Sequence, residues 1–334
     1  MARMTIEAPA KTNFTLEVFG RREDGYHDLR SVVMPVSLFD TVYVEERPGE
    51  TDTCEIAPCG IDGAPLDALQ PGDNLCLRAT SAMRRALAVR SLQSRGCAIR
   101  VAKRIPIGAG MGGGSADAAG VLACLRALWA PEMPEAELLA AGAECGSDVP
   151  AMLLGGAVLM EGRGERATRL LAPDEHPAPM WLAVVFPGYH VSTKAVYDAL
   201  DESQDARHKT QDNPATCDPG PATPWGLTKR PGVCENCARS VRNGDARACA
   251  RSLFNGLQET VTKLHPLTER FCLALGRGGA LGALLTGSGS AVYGLAGSRE
   301  EAEAIRRKMD GTVRCEVLQT LPDGVMAAHG PLVP

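Results

Sequence analysis

The sequence predicts a two-domain α+β protein, and three observations predict it. Its 334 residues, at about 150 per domain, leave room for two cores. The chain opens on short runs of alternating apolar and polar residues, the period-two signature of strands, before any helical pattern appears. Later, the helical pattern that follows a glycine-rich loop gives way to a second helix, not to the parallel strand that a doubly wound α/β sheet requires. An N-terminal domain over residues 1–160 and a C-terminal domain over 161–334 are expected. Hydrophobic residues make up 45% and charged residues 22%, an ordinary globular balance.

Strands are expected at Thr5-Ile6-Glu7, from Phe14 to Val18 and at Val42-Tyr43-Val44, punctuated by Gly20, Gly25 and Pro35. Leu75, Leu77, Ala82, Met83, Ala86 and Leu87 make 74–89 an amphipathic helix, with Asp73 as its cap. Cys97 to Val101 reads as a strand. From Ser115 to Trp129, Val121, Leu122, Leu125, Leu128 and Trp129 share one helical face, and Pro131 and Pro134 stop the helix. Glu135 to Cys145 is a further helix, ended by Gly146. Leu153 to Met160 and Met180 to Phe186 are apolar runs of strand length. The polar stretch 204–244 contains Pro214, Pro219, Pro221, Pro224 and Pro231 and lacks periodicity, so it reads as a long loop or insertion. Helices at 246–264 and 269–275, a strand–turn–strand from Leu281 to Leu295, a charged helix from Arg299 to Lys308 and a strand from Val313 to Leu318 complete the order. There is no internal repeat.

Lys and Arg number 35 against 40 Asp and Glu, a net charge of -5, which weighs against nucleic acid as a partner. At 4%, aromatics are too few for a surface that stacks single-stranded bases. The uncharged stretch 278–298 is too rich in glycine, serine and threonine for a bilayer. Met1 to Lys11 lacks the apolar core of a secretory signal, so a cytoplasmic location is expected. Of 12 cysteines, Cys76, Cys97, Cys124 and Cys272 stand singly among apolar residues and read as small buried hydrophobes. Cys234-Glu-Asn-Cys237 has metal-ligand spacing, flanked irregularly by Cys217 and Cys249. A structural zinc site needs four placed ligands, so a surface loop without metal is the expectation.

Chemistry concentrates in Pro106-Ile-Gly-Ala-Gly-Met-Gly-Gly-Gly-Ser-Ala-Asp-Ala-Ala119, between a strand and a helix. Five glycines from Gly108 to Gly114 let backbone approach a ligand closely, and the helix after them points free N–H groups and a positive dipole end at it. Phosphate suits such a place. Gly108, Gly110 and Gly113 satisfy G-x-G-x-x-G, but no second parallel strand with a terminal acidic residue follows. No Gly-Lys-Ser/Thr follows either, which excludes the P-loop.

Pro-x-Gly-Ala-Gly-x-Gly-Gly-Gly-Ser resembles the nucleotide loop of the GHMP superfamily, the small-molecule kinases named after galactokinase, homoserine kinase, mevalonate kinase and phosphomevalonate kinase. Ala8-Pro-Ala-Lys-Thr-Asn13 resembles their first motif and Leu285-Thr-Gly-Ser-Gly-Ser290 their third. Gly20-Arg-Arg-Glu-Asp-Gly-Tyr-His27, Gly146-Ser-Asp-Val-Pro150, Glu161-Gly-Arg-Gly-Glu165 and Asn255-Gly-Leu-Gln258 resemble the 4-diphosphocytidyl-2-C-methyl-D-erythritol kinase family within it. The likeness runs in order from about residue 5 to 320. Two features depart from it: Ser115-Ala-Asp117 stands where Ser-Ser or Ser-Asn is usual, and 204–244 has no counterpart.

The resemblance implies an N-terminal domain like ribosomal protein S5 and a C-terminal α/β sandwich. It implies ATP-dependent phosphorylation of the 2-hydroxyl of 4-diphosphocytidyl-2-C-methyl-D-erythritol, a step of non-mevalonate isoprenoid synthesis, by a monomer or weak dimer. Lys11 and Asp148 match the catalytic pair, Asp148 facing the acceptor hydroxyl. Taken alone, Asp148 reads equally as a helix cap and Lys11 as a surface charge. Pro106, Ile107, Gly108, Ala109, Gly110, Met111, Gly112, Gly113, Gly114, Ser115 and Ala116 match the loop around ATP, with Asn74 and Lys103 near the adenosine. Magnesium is implied alongside ATP, though no carboxylate cage for it is legible. Tyr26 and Tyr197 match the pair that sandwiches cytosine, and His27 the reader of its edge. Asn13, Thr193, Thr286, Gly287, Ser288 and Gly289 match further substrate contacts. A homoserine or mevalonate kinase is the nearest rival, disfavoured by Asp24-Gly-Tyr-His27. A silent nucleotide-binding regulator is another, disfavoured by the joint presence of Lys11, Asp148 and the loop.

Overall fold

Twenty-one residues of alternating burial, His27–Arg47 (β3), form the axis of the first sheet. The structure, a computed structural model, describes residues 1–49, 51–58, 74–210, 232–309, 311 and 313–322, without the side chains of 204–210. β1 (Arg3–Asn13) lies antiparallel to β3, from Arg3 opposite Glu45 to Asn13 opposite Val33, with a bulge between Pro9 and Ala10. β2 (Thr15–Arg21) and β6 (Val158–Gly162) pair with the start of β3, and β5 (Gly96–Lys103) with its end. β4 (Thr53–Pro58) runs parallel beside β5, and β7 (Arg166–Arg169) antiparallel beside β6. Pro35, expected to break the chain, lies inside β3. Beside the bulge it removes a single donor, while its carbonyl accepts from Leu321 N at 2.9 Å.

Three helices pack on this sheet, and a fourth packs on those three. α1 (Leu75–Val89) is capped by Asn74, whose Oδ1 accepts from Cys76 N at 2.9 Å and Leu77 N at 3.4 Å. The cap is therefore Asn74 and not Asp73, which lies outside the described residues. α2 (Gly113–Trp129) starts two residues earlier than its apolar face implies. α3 (Glu135–Cys145) matches expectation. α4 (Val149–Leu154) takes the first part of the strand expected from Leu153, because Gly155 and Gly156, at φ +65° and +67°, turn the chain before β6.

The second sheet is antiparallel in the order β10–β11–β8–β12: Gly282–Leu285, Val292–Ala296, Trp181–Phe186 and Arg314–Gln319. α9 (Leu267–Gly278) and α10 (Arg299–Met309) pack on it. The helix expected over 246–264 is instead α7 (Ala246–Arg251), a two-residue strand β9 (Phe254–Asn255) parallel to β2, and α8 (Gln258–Leu264).

The loop expected over 204–244 is helical at both ends. α5 (Thr193–Thr210) enters it and α6 (Val233–Arg242) leaves it, while Cys217 and the prolines lie outside the described residues. Val233, Cys234, Cys237, Ala238 and Val241 bury one face of α6, a 3.6-residue period carried by cysteines. Cys234 Sγ meets Thr15 Oγ1 at 3.0 Å, so this pair lies in the core and not on a surface loop. Among the described residues no three His, Cys, Asp or Glu converge on a metal position. One buried cluster runs from Ile6 and Leu122 to Leu182, Cys237 and Tyr293, joining residues on both sides of position 160.

Candidate active site

β1 delivers Lys11 and Asn13 to a cleft between the sheets. Lys11 Nζ is buried, donates to Asn13 Oδ1 at 2.8 Å and stands 3.5 Å from Asp148 Oδ2. Asp148 holds the N-cap position of α4, yet its side chain makes no capping bond, so its carboxylate stays free to face Lys11. Asn13 Nδ2 donates to Ser31 Oγ at 2.8 Å, and Ser31 donates to Thr15 O at 2.5 Å, which locks Asn13 in place. Lys11, Asn13, Ser31, Asp148, Thr193, Tyr197, Gly287 and Ser288 line the cleft, with Leu16, Leu29, Met160 and Leu257 as its apolar wall.

Gly110 and Gly112 belong to this cleft and also to a neighbouring cavity. Pro106 through Gly114 line that cavity together with Asn74, Lys103, Ile56, Leu75, Cys76 and Asp117. Ser115 and Ala116 are not in its wall, Ala116 being wholly buried in the first turn of α2. Gly112 has φ +69°, and a Cβ there would fall 2.7 Å from Met152 Cε and 3.0 Å from the Lys11 stem. At Gly110, φ +75°, a Cβ would meet Thr286 O at 2.2 Å. The loop is therefore tightly packed, with only glycine admissible where it touches Lys11 and the third motif.

Thr286 and Gly289 lie behind the loop, outside the cleft wall. Ser290 N donates to Gly108 O at 3.2 Å, Ala291 N to Ala109 O at 3.1 Å and Thr286 Oγ1 to Gly110 O at 3.4 Å. Asn255 Nδ2 donates to Leu285 O at 2.9 Å and Gly287 O at 2.8 Å, while Gln258 Oε1 accepts from Leu285 N at 2.9 Å. The Asn255-to-Gln258 motif thus acts as a buttress for the third motif. Lys11 N donates to Met111 O at 2.9 Å, and Thr193 Oγ1 meets Ser288 Oγ at 2.8 Å.

His27 stacks on Tyr197, ring centroids 4.9 Å apart, and its Nε2 lies 2.7 Å from Asp201 Oδ1. Burial, followed by the nearby Asp148 charge, pushes the Tyr197 hydroxyl up to about 12. Tyr26 is 55% exposed, carries Arg163 over its ring at 5.1 Å and does not line the cleft. The structure thus brings His27 and Tyr197 together, with Tyr26 exposed beside Arg163. Sequence reasoning missed Ser31, Asp201, Asp40 and Asp117, and also His190, whose ring would lie 1.9 Å from a Cβ on Gly108. Among these only Asp117 carried a signal, as the departure beside the glycines. Lys103 Nζ donates to Asp117 Oδ2 at 2.7 Å and to the Asp40 carboxylate. Burial opposes its charge, but those two carboxylates outweigh burial and raise its pKa above the ordinary lysine value.

The family models for the N-terminal and C-terminal domains of GHMP kinases match residues 74–156 and 233–314. The 4-diphosphocytidyl-2-C-methyl-D-erythritol kinase of Pelotomaculum thermopropionicum is 36% identical over 303 residues, 90% of this chain and 92% of that protein. The enzyme of the same name from Symbiobacterium thermophilum is 36% identical over 306 residues, 89% of this chain and 92% of that protein. A crystal structure of 4-(cytidine 5'-diphospho)-2C-methyl-D-erythritol kinase matches with a TM-score of 0.67 at 31% identity, covering 95% of this chain and 99% of that one. Homoserine kinase from Cytophaga hutchinsonii matches with a TM-score of 0.67 at 17% identity over 96% and 95% of the two chains, a likeness of fold alone.

Proposed function

The chain belongs to the 4-diphosphocytidyl-2-C-methyl-D-erythritol kinases of the GHMP superfamily, and on that premise we propose how its cleft transfers phosphate from ATP to the 2-hydroxyl of that alcohol. The observation that carries the proposal is the junction of two cavities at Gly110 and Gly112. One is walled by the glycine loop, the other holds Lys11 3.5 Å from Asp148. Phosphates fit the first: residues without Cβ line it, and the N-terminal N–H groups of α2 open onto it. The alcohol fits the second, within reach of Asp148.

Phosphoryl transfer passes through a loose transition state, so the protein's work is to position groups and spread negative charge. Asp148 orients the acceptor hydroxyl and takes its proton late in the transfer. Lys11, fixed by Asn13, balances negative charge between Asp148 and the transferring group. The N–H groups of the loop and of α2 hold the β- and γ-phosphates in line with the hydroxyl. Magnesium bound with ATP would supply positive charge against the phosphates, beside the glycine loop and the α2 N-terminus that line the first cavity. Recognition of the cytidine falls to His27 and Tyr197, with the exposed ring of Tyr26 completing the stack. No helix among the described residues is long and apolar enough to cross a membrane, which suits work on a dissolved small molecule.

ADP release measured over cytidine-linked methylerythritol, mevalonate, homoserine and galactose tests the assignment. Turnover is expected with the first alone. Turnover with mevalonate or homoserine would move the chain to another branch of the superfamily.

A further inference from the structure

Beneath the glycine loop lies a charged cluster that the transfer does not use. Asp40, Lys103 and Asp117 come from β3, the end of β5 and α2, and none is more than 4% exposed. Asp40 Oδ1 accepts from Arg104 N at 2.5 Å and Ile105 N at 2.8 Å, so it grips the backbone that leads into the loop at Pro106. Its other oxygen accepts from Lys103 Nζ, and that ammonium also donates to Asp117 Oδ2 at 2.7 Å. Asp117 stands in the second turn of the helix that leads out of the loop, and it lines the cavity the loop encloses. The ammonium also bears on the loop directly, since a Cβ on Gly113 would lie 3.0 Å from Lys103 Nζ.

A buried ionic cluster is weak evidence of stability, because desolvation offsets the attraction and an apolar cluster of equal volume often does as well. What ions and hydrogen bonds supply and apolar contacts do not is direction. We propose that Asp40, Lys103 and Asp117 are positioning residues that clasp the entry and exit of the loop. They hold its two ends at the separation that lets its N–H groups converge on a nucleotide's phosphates. The clasp rests on the ATP reading above. It makes Lys103 a residue that acts through Asp40 and Asp117 and not through contact with the adenosine.

Titration calorimetry of the full chain, with magnesium present, tests it by comparing AMP-PNP with adenosine. Asp117→Ala should weaken AMP-PNP at least about tenfold, as misplacement of a positioned group does, and leave adenosine within about twofold. Asp117→Asn keeps an oxygen for Lys103 and should restore AMP-PNP to within about twofold of wild type. Unchanged AMP-PNP affinity in the alanine variant, equal loss of both ligands, or asparagine behaving as alanine would overturn the clasp. The last result would show that charge and not geometry matters. Should Asp117→Ala not fold, Asp40→Ala carries the comparison, because it removes the carboxylate that Arg104 N, Ile105 N and Lys103 Nζ share. Loss confined to AMP-PNP is again expected. A wild-type pattern, or a second unfolded variant, contradicts the proposal by making the cluster a requirement of the fold. Wild-type protein that binds neither ligand would refute the ATP reading instead.

Discussion

Asp148 stands at the N-cap of α4 and its side chain caps nothing, which leaves its carboxylate beside Lys11 and open to the cleft. Its sequence neighbours show a chain reversal before Pro150, but only the fold shows that the reversal aims it at a lysine more than a hundred positions away. On the proposed mechanism, Asp148→Asn keeps the shape and removes the proton acceptor. Turnover should fall by roughly two orders of magnitude or more, with ATP affinity near wild type. A variant that kept a tenth of the activity would remove Asp148 from the mechanism. Tyr26 is the opposite case, legible from its motif and yet found exposed beside Arg163. If its ring completes the stack on cytosine, Tyr26→Ala should lower kcat/KM by about ten- to a hundredfold, the range of a base–aromatic stack. An unaltered kcat/KM would assign the recognition to His27 and Tyr197 alone.

Among the elements, α2 and α6 show what a sequence does and does not announce. The apolar face of α2 is plain, but its first turn is Gly113-Gly114, and glycine's poor helix propensity hides the start. The face of α6 is just as regular, but cysteines carry it, and their spacing reads as readily as a metal motif. Cys234→Ser with Cys237→Ser should leave metal content unchanged and lower stability by about 1–3 kcal/mol for burying a hydroxyl in place of each thiol. One zinc per chain, lost in the double variant, would reverse that reading. The Asp40–Lys103–Asp117 cluster was invisible for a different reason, since residues from three separate elements share no spacing that a linear pattern displays. Burial pushes the Asp117 carboxyl from an ordinary 3.8 up to about 7, against the pull of Lys103. A carboxyl so raised keeps its proton in the folded chain where the unfolded chain has lost it. Its contribution to stability is complete below about pH 4 and is lost as pH rises through about 7. Thermal melts of wild type and Asp117→Asn should therefore diverge between about pH 4 and 7, with wild type falling relative to the variant. A constant difference in Tm would show that Asp117 does not titrate in that window.

Over the whole molecule, the cleft is assembled by the second sheet's turn closing over the first sheet's loop. Leu285 to Ala291 bonds to Gly108, Ala109 and Gly110, and Asn255 and Gln258 hold that turn from below. Both motifs were legible in the sequence as a resemblance, but their contact was not. The contribution of β9 did not show, because a two-residue strand has no period to read. On the proposed reading, the reacting hydroxyl lies beside Asp148 while His27, Tyr197 and Tyr26 take a part of the substrate that does not react. Binding energy from such a remote part aligns the reacting group, so its removal lowers turnover as well as affinity. Steady-state ADP release with intact 4-diphosphocytidyl-2-C-methyl-D-erythritol, compared with methylerythritol phosphate lacking the cytidine, measures this directly. The intact alcohol should turn over, and the truncated one should lose kcat and kcat/KM together. Equal efficiency on the two would contradict the account.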